Sequence, residues 1–239
     1  MSDIFWLEPN NPVDQFPNVE LALIEPNGLL AAGGDLQPER LINAYKQGIF
    51  PWYSEGEPIL WWSPDPRSIL IPHDIKVSRS LKKTLNRNIF NVTLDCAFAD
   101  VINACAQPRH YGPGTWLTEP LRASLCQLHE LGYAHSVECW FENELVGGLY
   151  GLAFGKVFFG ESMFSTKSDA SKVALVYLAR QLARWNFALI DCQVKSNHLT
   201  SLGAVDIRRK DFIDLVSKWG HTNEHHGKWC IDNENSTTR

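Results

Sequence analysis

No stretch of about 18 consecutive apolar residues occurs in the chain, which excludes a membrane-spanning helix. The N-terminus, Met1-Ser2-Asp3-Ile4-Phe5-Trp6, lacks a basic run ahead of an apolar one, so a signal peptide is not expected. The six cysteines (Cys96, Cys105, Cys126, Cys139, Cys192 and Cys230) form no CxxC pair. Without a leader they read as reduced, mostly buried thiols of a cytoplasmic protein; a nucleophile or metal-ligand role is the alternative. Bases are outnumbered, 22 Lys and Arg against 27 Asp and Glu for a net charge of −5, which speaks against a globally basic nucleic-acid binder. No GxxxxGK[ST] is present, so there is no P-loop, and no G-x-S-x-G, so there is no nucleophile elbow.

What is present is an ordinary globular composition, 44% hydrophobic and 21% charged over 239 residues. That length suits one large domain or two modest ones with a true core. The charge is unevenly spread. Residues 1–62 hold nine acids and only two bases, Arg40 and Lys46. Ten of the thirteen prolines fall in the first 72 residues, so this part reads as a loop-rich small domain. Its one clear helix starts at Pro38 and is closed by Gly48.

Beyond about residue 76 the pattern is regular. Ser78–Asn88 reads as an amphipathic helix with Leu81 and Leu85 on one stripe and Arg79, Lys82, Lys83 and Arg87 beside it, unopposed by any acid between Ile75 and Leu94. Helices are expected over Asp95–Ala106 and Glu119–Gly132. An antiparallel meander is expected from Ser136–Phe141, Leu145–Phe154 and a short strand at Val157–Phe159. Ser168–Trp185 is the strongest helix, Ala188–Val194 an apolar strand, and Asp211–Trp219 a closing helix. The order predicts an α+β fold with a mixed sheet covered by helices. Gly147, Gly148, Gly151 and Gly155 crowd one strand, which fits either a ligand's close approach or bulges and turns.

Three acids and amides stand out. Asp191 and Gln193 lie two apart on a strand among Leu189, Ile190 and Val194, so strand alternation puts them on one face. They fit either a site or a satisfied core network. Glu161 lies at an expected strand end in Phe158-Phe159-Gly160-Glu161-Ser162-Met163-Phe164, where an acid among aromatics tends to have a perturbed pKa. Among nine tryptophans, Trp61 and Trp62 read as core, whereas Trp52 and Trp116 are placed to stack on a base or cover a ligand. The basic helix is either a solvated face or a phosphate grip. His221, His225, His226 and Cys230 can be drawn as a metal cluster, but a polar tail is the preferred reading.

Several motifs in order carry a resemblance: Glu25-Pro26-Asn27-Gly28-Leu29-Leu30-Ala31-Ala32-Gly33-Gly34-Asp35-Leu36, Gly48-Ile49-Phe50-Pro51-Trp52, Trp61-Trp62-Ser63-Pro64-Asp65-Pro66-Arg67, Gly160-Glu161-Ser162-Met163-Phe164-Ser165 and Leu189-Ile190-Asp191-Cys192-Gln193. From about residue 16 to 219 the chain resembles the leucyl/phenylalanyl-tRNA–protein transferase family. The resemblance implies a small N-terminal domain, residues 1–62, and a GNAT-like catalytic domain with a polar tail, residues 63–239. It implies transfer of Leu or Phe from Leu-tRNA or Phe-tRNA to the α-amine of proteins starting with Arg or Lys, marking them for N-end rule degradation, with no metal, CoA or membrane involved.

The residues agree on CoA. Where CoA-using relatives of that fold carry a glycine-rich pyrophosphate turn, this chain has Phe164-Ser165-Thr166-Lys167-Ser168-Asp169-Ala170-Ser171, with no glycine and an acid. By the resemblance, Asp191 and Gln193 form a relay that orients and deprotonates the acceptor amine, and Glu161 positions substrate. Trp52 and Trp116 contact the terminal adenosine or donor amino acid. Leu149, Phe158, Met163, Leu175, Leu178 and Ile190 form the donor side-chain pocket, with Leu178 smaller than the aromatic expected there. Arg79, Lys82, Lys83 and Arg87 grip the acceptor stem. The rivals are an acyl-CoA N-acyltransferase and a non-catalytic tRNA- or peptide-binding module.

Overall fold

The computed structural model describes residues 4–9, 15–107, 116–221 and 225–232. Residues 112–115, just before Trp116, and the chain ends lie outside them. The first sheet is built from β1 (Phe5–Leu7), β2 (Leu29–Gly33), β3 (Phe50–Pro51) and β4 (Leu60–Trp62), in the order β1-β2-β4-β3, with α1 (Pro38–Lys46) inserted after β2. Pro38 occupies the first turn of α1, and Gly48, at a φ of 73°, turns the chain out of it. The sheet adds short strands that the loop-rich reading did not anticipate. Its strands are only two to five residues long, too short for alternation to show through the prolines.

The second sheet follows: β5 (Arg67–Leu70), α2 (Arg79–Asn86), β6 (Asn91–Leu94), α3 (Phe98–Cys105), α4 (Glu119–Glu130), β7 (Ala134–Phe141), β8 (Glu144–Phe154), β9 (Val157–Ser165), α5 (Ala170–Arg184), β10 (Leu189–Gln193), α6 (Asn197–Ser201), β11 (Val205–Ile207) and α7 (Arg209–Trp219). Its order is β11-β5-β10-β9-β8-β7-β6, antiparallel throughout except where β9 and β10 run parallel. The expected α+β class with a mixed, helix-covered sheet holds.

Ser78 caps α2 by accepting the Leu81 N–H at 3.2 Å. Glu142 and Asn143, both at positive φ, make the tight turn between β7 and β8. α3 starts later than the expected Asp95. That residue sits at a φ of 52° and spends its carboxylate on the Ser136 N–H and on His135, so it cannot open a helix. The glycine question on β8 resolves toward packing. A side chain at Gly147 would lie 2.6 Å from the Ala170 Cβ of α5, and one at Gly151 2.2 Å from the Phe159 carbonyl.

Apolar residues alternate between two cores. Tyr150, Phe159, Leu189 and Phe212 join Leu41, Tyr45 and Trp61 on the face covered by α1, α3, α4 and the first sheet. Leu149, Phe158 and Ile190 face the other way, toward Leu175 and Leu178 of α5 and Leu81 of α2. The sheets change between Trp62 and Arg67, but the first core runs through both.

Candidate active site

The parallel pairing of β9 with β10 ends at Phe159–Asp191. β9 continues to Ser165 against β8 alone, while β10 bulges between Asp191 and Gln193 against β5. A cavity of about 580 Å³ opens where the two strands part. Its apolar wall is Leu149, Phe158, Met163, Leu175, Leu178 and Ile190, and its polar wall includes Glu161, Asp191, Gln193, Ser196 and His198. Trp52 and Trp116 lie at the same cavity, Trp52 46% exposed and Trp116 half-buried. Trp61 is fully buried, and Trp62 packs at its edge and donates to the Trp52 carbonyl at 2.6 Å. Sequence reasoning therefore assembled eleven residues that the fold brings to one cavity.

The polar wall is a connected chain. Arg67 grips Asp191 with both ends of its guanidinium, Nε to Oδ1 at 2.8 Å and Nη2 to Oδ2 at 2.6 Å. Both side chains are buried, 1% and 0% exposed. The guanidinium sits between the rings of Phe50 (4.8 Å) and Phe212 (4.4 Å), and Nη1 donates to the Gly48 carbonyl at 3.1 Å. Asp191 Oδ1 also accepts the Gln193 N–H at 2.9 Å, and Gln193 Nε2 donates to Glu161 Oε1 at 2.7 Å.

Two expectations change here. Asp191 and Gln193 do not share a face through plain alternation, because the bulge and a φ of 59° at Gln193 turn its side chain toward β9. What joins the two is the backbone N–H of Gln193. Both Asp191 oxygens are also engaged by the Arg67 guanidinium. Glu161 lies within β9 rather than at a strand end, because β9 runs six residues past Phe159.

The Glu161 carboxyl ends this chain. Burial, more than any other influence, raises its pKa to about 8. The Asp191 charge adds to the rise, while Tyr45, Arg67 and Gln193 oppose it. Tyr45, from α1, places its buried hydroxyl close enough to Glu161 to couple with it, though outside strict hydrogen-bond geometry. Burial and Glu161 push the Tyr45 phenol well above its usual value. Cys192 lines the cavity, and burial drives its thiol pKa far up, which disfavours the thiolate.

Sequence reasoning missed Arg67, Tyr45 and His198. The signal for Arg67 was a lone base opening the apolar run Arg67-Ser68-Ile69-Leu70; for Tyr45 and His198 the sequence carried none. Burial lowers the His198 pKa at the cavity wall.

Arg79, Lys82, Lys83 and Arg87 are exposed on and just after α2, and none has an ion-pair partner among the described residues. At the N-terminus of α5, Asp169 accepts from Lys172 and Thr84 at a φ of 67°, so an acid occupies the place of a phosphate-cradling glycine. His225 stacks on Trp185 and His226 packs at a 60° tilt against Tyr133; among the described residues no group of three His, Cys, Asp or Glu side chains is placed to hold a metal ion. No helix among the described residues is long and apolar enough to cross a membrane.

The sequence family described as leucyl/phenylalanyl-tRNA protein transferase matches residues 69–217, and its N-terminal domain matches 34–65. Relatives named leucyl/phenylalanyl-tRNA–protein transferase include one from Cellvibrio japonicus, 60% identical over 88% of this chain and 89% of its own. One from Nitrosomonas europaea is 57% identical over 91% and 92%. One from Nitrosospira multiformis is 55% identical over 96% and 97%. Among solved structures, a GCN5-related N-acetyltransferase from Kribbella flavida is 10% identical with a TM-score of 0.36 over 67% of this chain and 57% of that one, too distant a likeness to carry an argument.

Proposed function

The chain belongs to the leucyl/phenylalanyl-tRNA–protein transferase family and is an aminoacyltransferase that moves an amino acid from tRNA to a protein, and we propose that the cavity between β9 and β10 is where that transfer occurs. The observation that carries this reading is the meeting, in one cavity, of an apolar wall sized for a side chain and a carboxyl whose pKa is near 8.

The donor's Leu or Phe side chain lies against Leu149, Phe158, Met163, Leu175, Leu178 and Ile190, and Trp52 and Trp116 cover the terminal adenosine. The acceptor is a protein with N-terminal Arg or Lys, which the transfer marks for N-end rule degradation in the cytoplasm. Its α-amine attacks the ester carbonyl, the C–N bond forms, and the C–O bond to the ribose breaks. The ester is already activated, so the step needs no ATP. The attacking amine has a reference pKa of about 7.7–8.0, close to that of Glu161, so proton transfer between them is nearly balanced. Glu161, when ionised, takes the amine's proton and returns one to the leaving ribose oxygen.

Gln193 fixes the Glu161 carboxyl, and Asp191, locked by Arg67, fixes Gln193 through its backbone. Asp191 is then a positioning residue rather than the base. Much of the rate gain comes from holding amine and ester together. The bases Arg79, Lys82, Lys83 and Arg87 grip the acceptor-stem backbone, contacts that carry little sequence information and so suit more than one tRNA. Residues 1–62 are read as the small N-terminal domain and 63–239 as the catalytic one.

The test is transfer of labelled Phe from Phe-tRNA to a protein starting with Arg, with an Ala-start protein as control. Labelling of the Arg-start protein alone is expected. Equal labelling of both removes the acceptor assignment, and label transfer by Glu161→Gln equal to that of wild type removes Glu161 from the chemistry.

A further inference from the structure

Residues 225–232 carry no recognisable motif, yet they fold back as a strap behind the cavity wall. Trp229 is 3% exposed. Its ring stacks flat on His135, with centroids 3.6 Å apart and planes 6° apart. It also packs edge-on against Trp185 at 5.0 Å and Phe187 at 5.9 Å. On its remaining side it leans on Phe158 at 5.9 Å. Phe158, 1% exposed, belongs to the apolar wall of the cavity.

The strap is pinned to the body at two points and braced by one bond of its own. Asp95 Oδ2 accepts the Trp229 N–H at 2.7 Å and the His135 Nδ1–H at 2.8 Å. Trp229 Nε1 donates to the His225 carbonyl at 2.8 Å. Asp232 accepts from Gln181 Nε2 at 2.6 Å and from Trp185 Nε1 at 2.8 Å, and its N–H donates to Gln181 Oε1 at 3.1 Å. Gln181 and Trp185 sit on α5 and at its end, the helix that also supplies Leu175 and Leu178 to the cavity. Gly227, at a φ of 97°, lets the strap pass close to Gly132, where an added Cβ would lie 2.7 Å from the Gly227 backbone.

We propose that the strap, through Trp229, is a specificity-determining element that sets the depth of the donor side-chain pocket by fixing Phe158 from behind. The inference rests on the reading of that wall as the donor pocket. Trp229 fills the space into which the Phe158 ring would otherwise recede. Removing it deepens the pocket and favours the larger donor side chain.

The experiment compares kcat/KM for Phe-tRNA and Leu-tRNA in wild type, Trp229→Leu, Trp229→Phe and Phe158→Leu, with thermal unfolding of each. The expected result is a Phe-to-Leu ratio raised on the order of 5-fold in Trp229→Leu, less in Trp229→Phe, and also shifted in Phe158→Leu. That change is smaller than the roughly 10–200-fold that a methylene in direct substrate contact is worth. An unchanged ratio in Trp229→Leu with a shifted one in Phe158→Leu overturns the inference and leaves the strap a brace for stability alone. Ratios unchanged in both overturn the donor-pocket reading and the inference with it. Where Trp229→Leu fails to fold, the ratio in Trp229→Phe decides.

Discussion

Asp191→Asn tests the polar chain at its most buried link. The carboxylate and the Arg67 guanidinium are both removed from water, 0% and 1% exposed, and held by two hydrogen bonds of 2.8 and 2.6 Å. An asparagine keeps the shape but removes the charge, and it turns an amide N–H toward a guanidinium that can only donate. Breaking a buried pair from one side costs about 3–5 kcal/mol, because the remaining charge stays dry and uncompensated. For a chain of this size each kcal/mol is worth about 2–4 °C, so the expected fall in Tm is roughly 6–20 °C. Thermal unfolding by circular dichroism measures it. The companion Arg67→Met/Asp191→Leu removes both charges, and most of the stability returns, since buried pairs are often no better than well-packed apolar residues. Transfer does not return, because the Gln193 N–H has lost its acceptor and Gln193 no longer holds Glu161 in place. A Tm loss below about 2 °C in Asp191→Asn refutes the dry-pair argument. Wild-type single-turnover transfer in that variant refutes the positioning role.

Glu161, with its pKa raised to about 8, predicts a single-turnover rate that climbs with pH through about 8, and Glu161→Gln loses that limb beyond what the amine's own titration explains. The same shift predicts stability: the raised pKa means the native state holds the proton more tightly, so its contribution is full below the usual carboxylate range and lost as pH rises through about 8; wild type therefore weakens relative to Glu161→Gln across that window, and parallel Tm curves refute it. Lys82→Glu/Lys83→Glu raises KM for tRNA and flattens its salt dependence, and an unchanged slope returns the helix to a solvated face. With a thiol reagent at pH 8, Cys96 and Cys230 react fast because they are exposed, while Cys139, pushed up to about 12, and Cys192, driven higher still, stay unmodified; rapid labelling of Cys192 by mass mapping overturns the burial argument.

Long periodic elements could be read from sequence. α5 and α2 show apolar stripes at helical spacing, and the β7–β8–β9 meander shows turn residues between apolar runs, so their positions emerge within a few residues, save the far end of β9, which runs six residues past the expected Phe159. The first sheet was hidden because its strands are two to five residues long and interrupted by proline, which leaves too few positions for a period of two. The site was legible as a list of residues but not as a geometry. Arg67 and Asp191 are separated by 124 positions, and no local pattern announces that antiparallel β5–β10 pairing brings them together. The bulge at Gln193 was equally hidden, since a φ of 59° at a residue other than glycine is imposed by tertiary contacts. The strap failed for a different reason. Its large apolar residues, Trp229 and Ile231, sit among polar neighbours, so hydropathy alone assigns the segment to a tail.

The uneven charge gains a physical meaning once the fold is known. Asp35 is held by Arg40, at 3.1 Å, so it contributes little field to the surroundings. Glu55 and Glu57 are exposed, on the loop that follows Trp52 at the cavity. Arg79, Lys82, Lys83 and Arg87 are exposed on a different element, α2 and its end. An enzyme with a polyanionic donor and a cationic acceptor gains if the two fields are separated, each attracting one substrate and repelling the other. Glu55→Lys/Glu57→Lys should therefore raise KM for an acceptor with N-terminal Arg while leaving KM for tRNA unchanged or lower. The effect should fade as salt shortens the screening length below about 10 Å, above 0.1 M. Acceptor KM measured at low salt decides. If it does not move, the acids of that loop are ordinary surface solvation, and acceptor choice rests on the cavity alone.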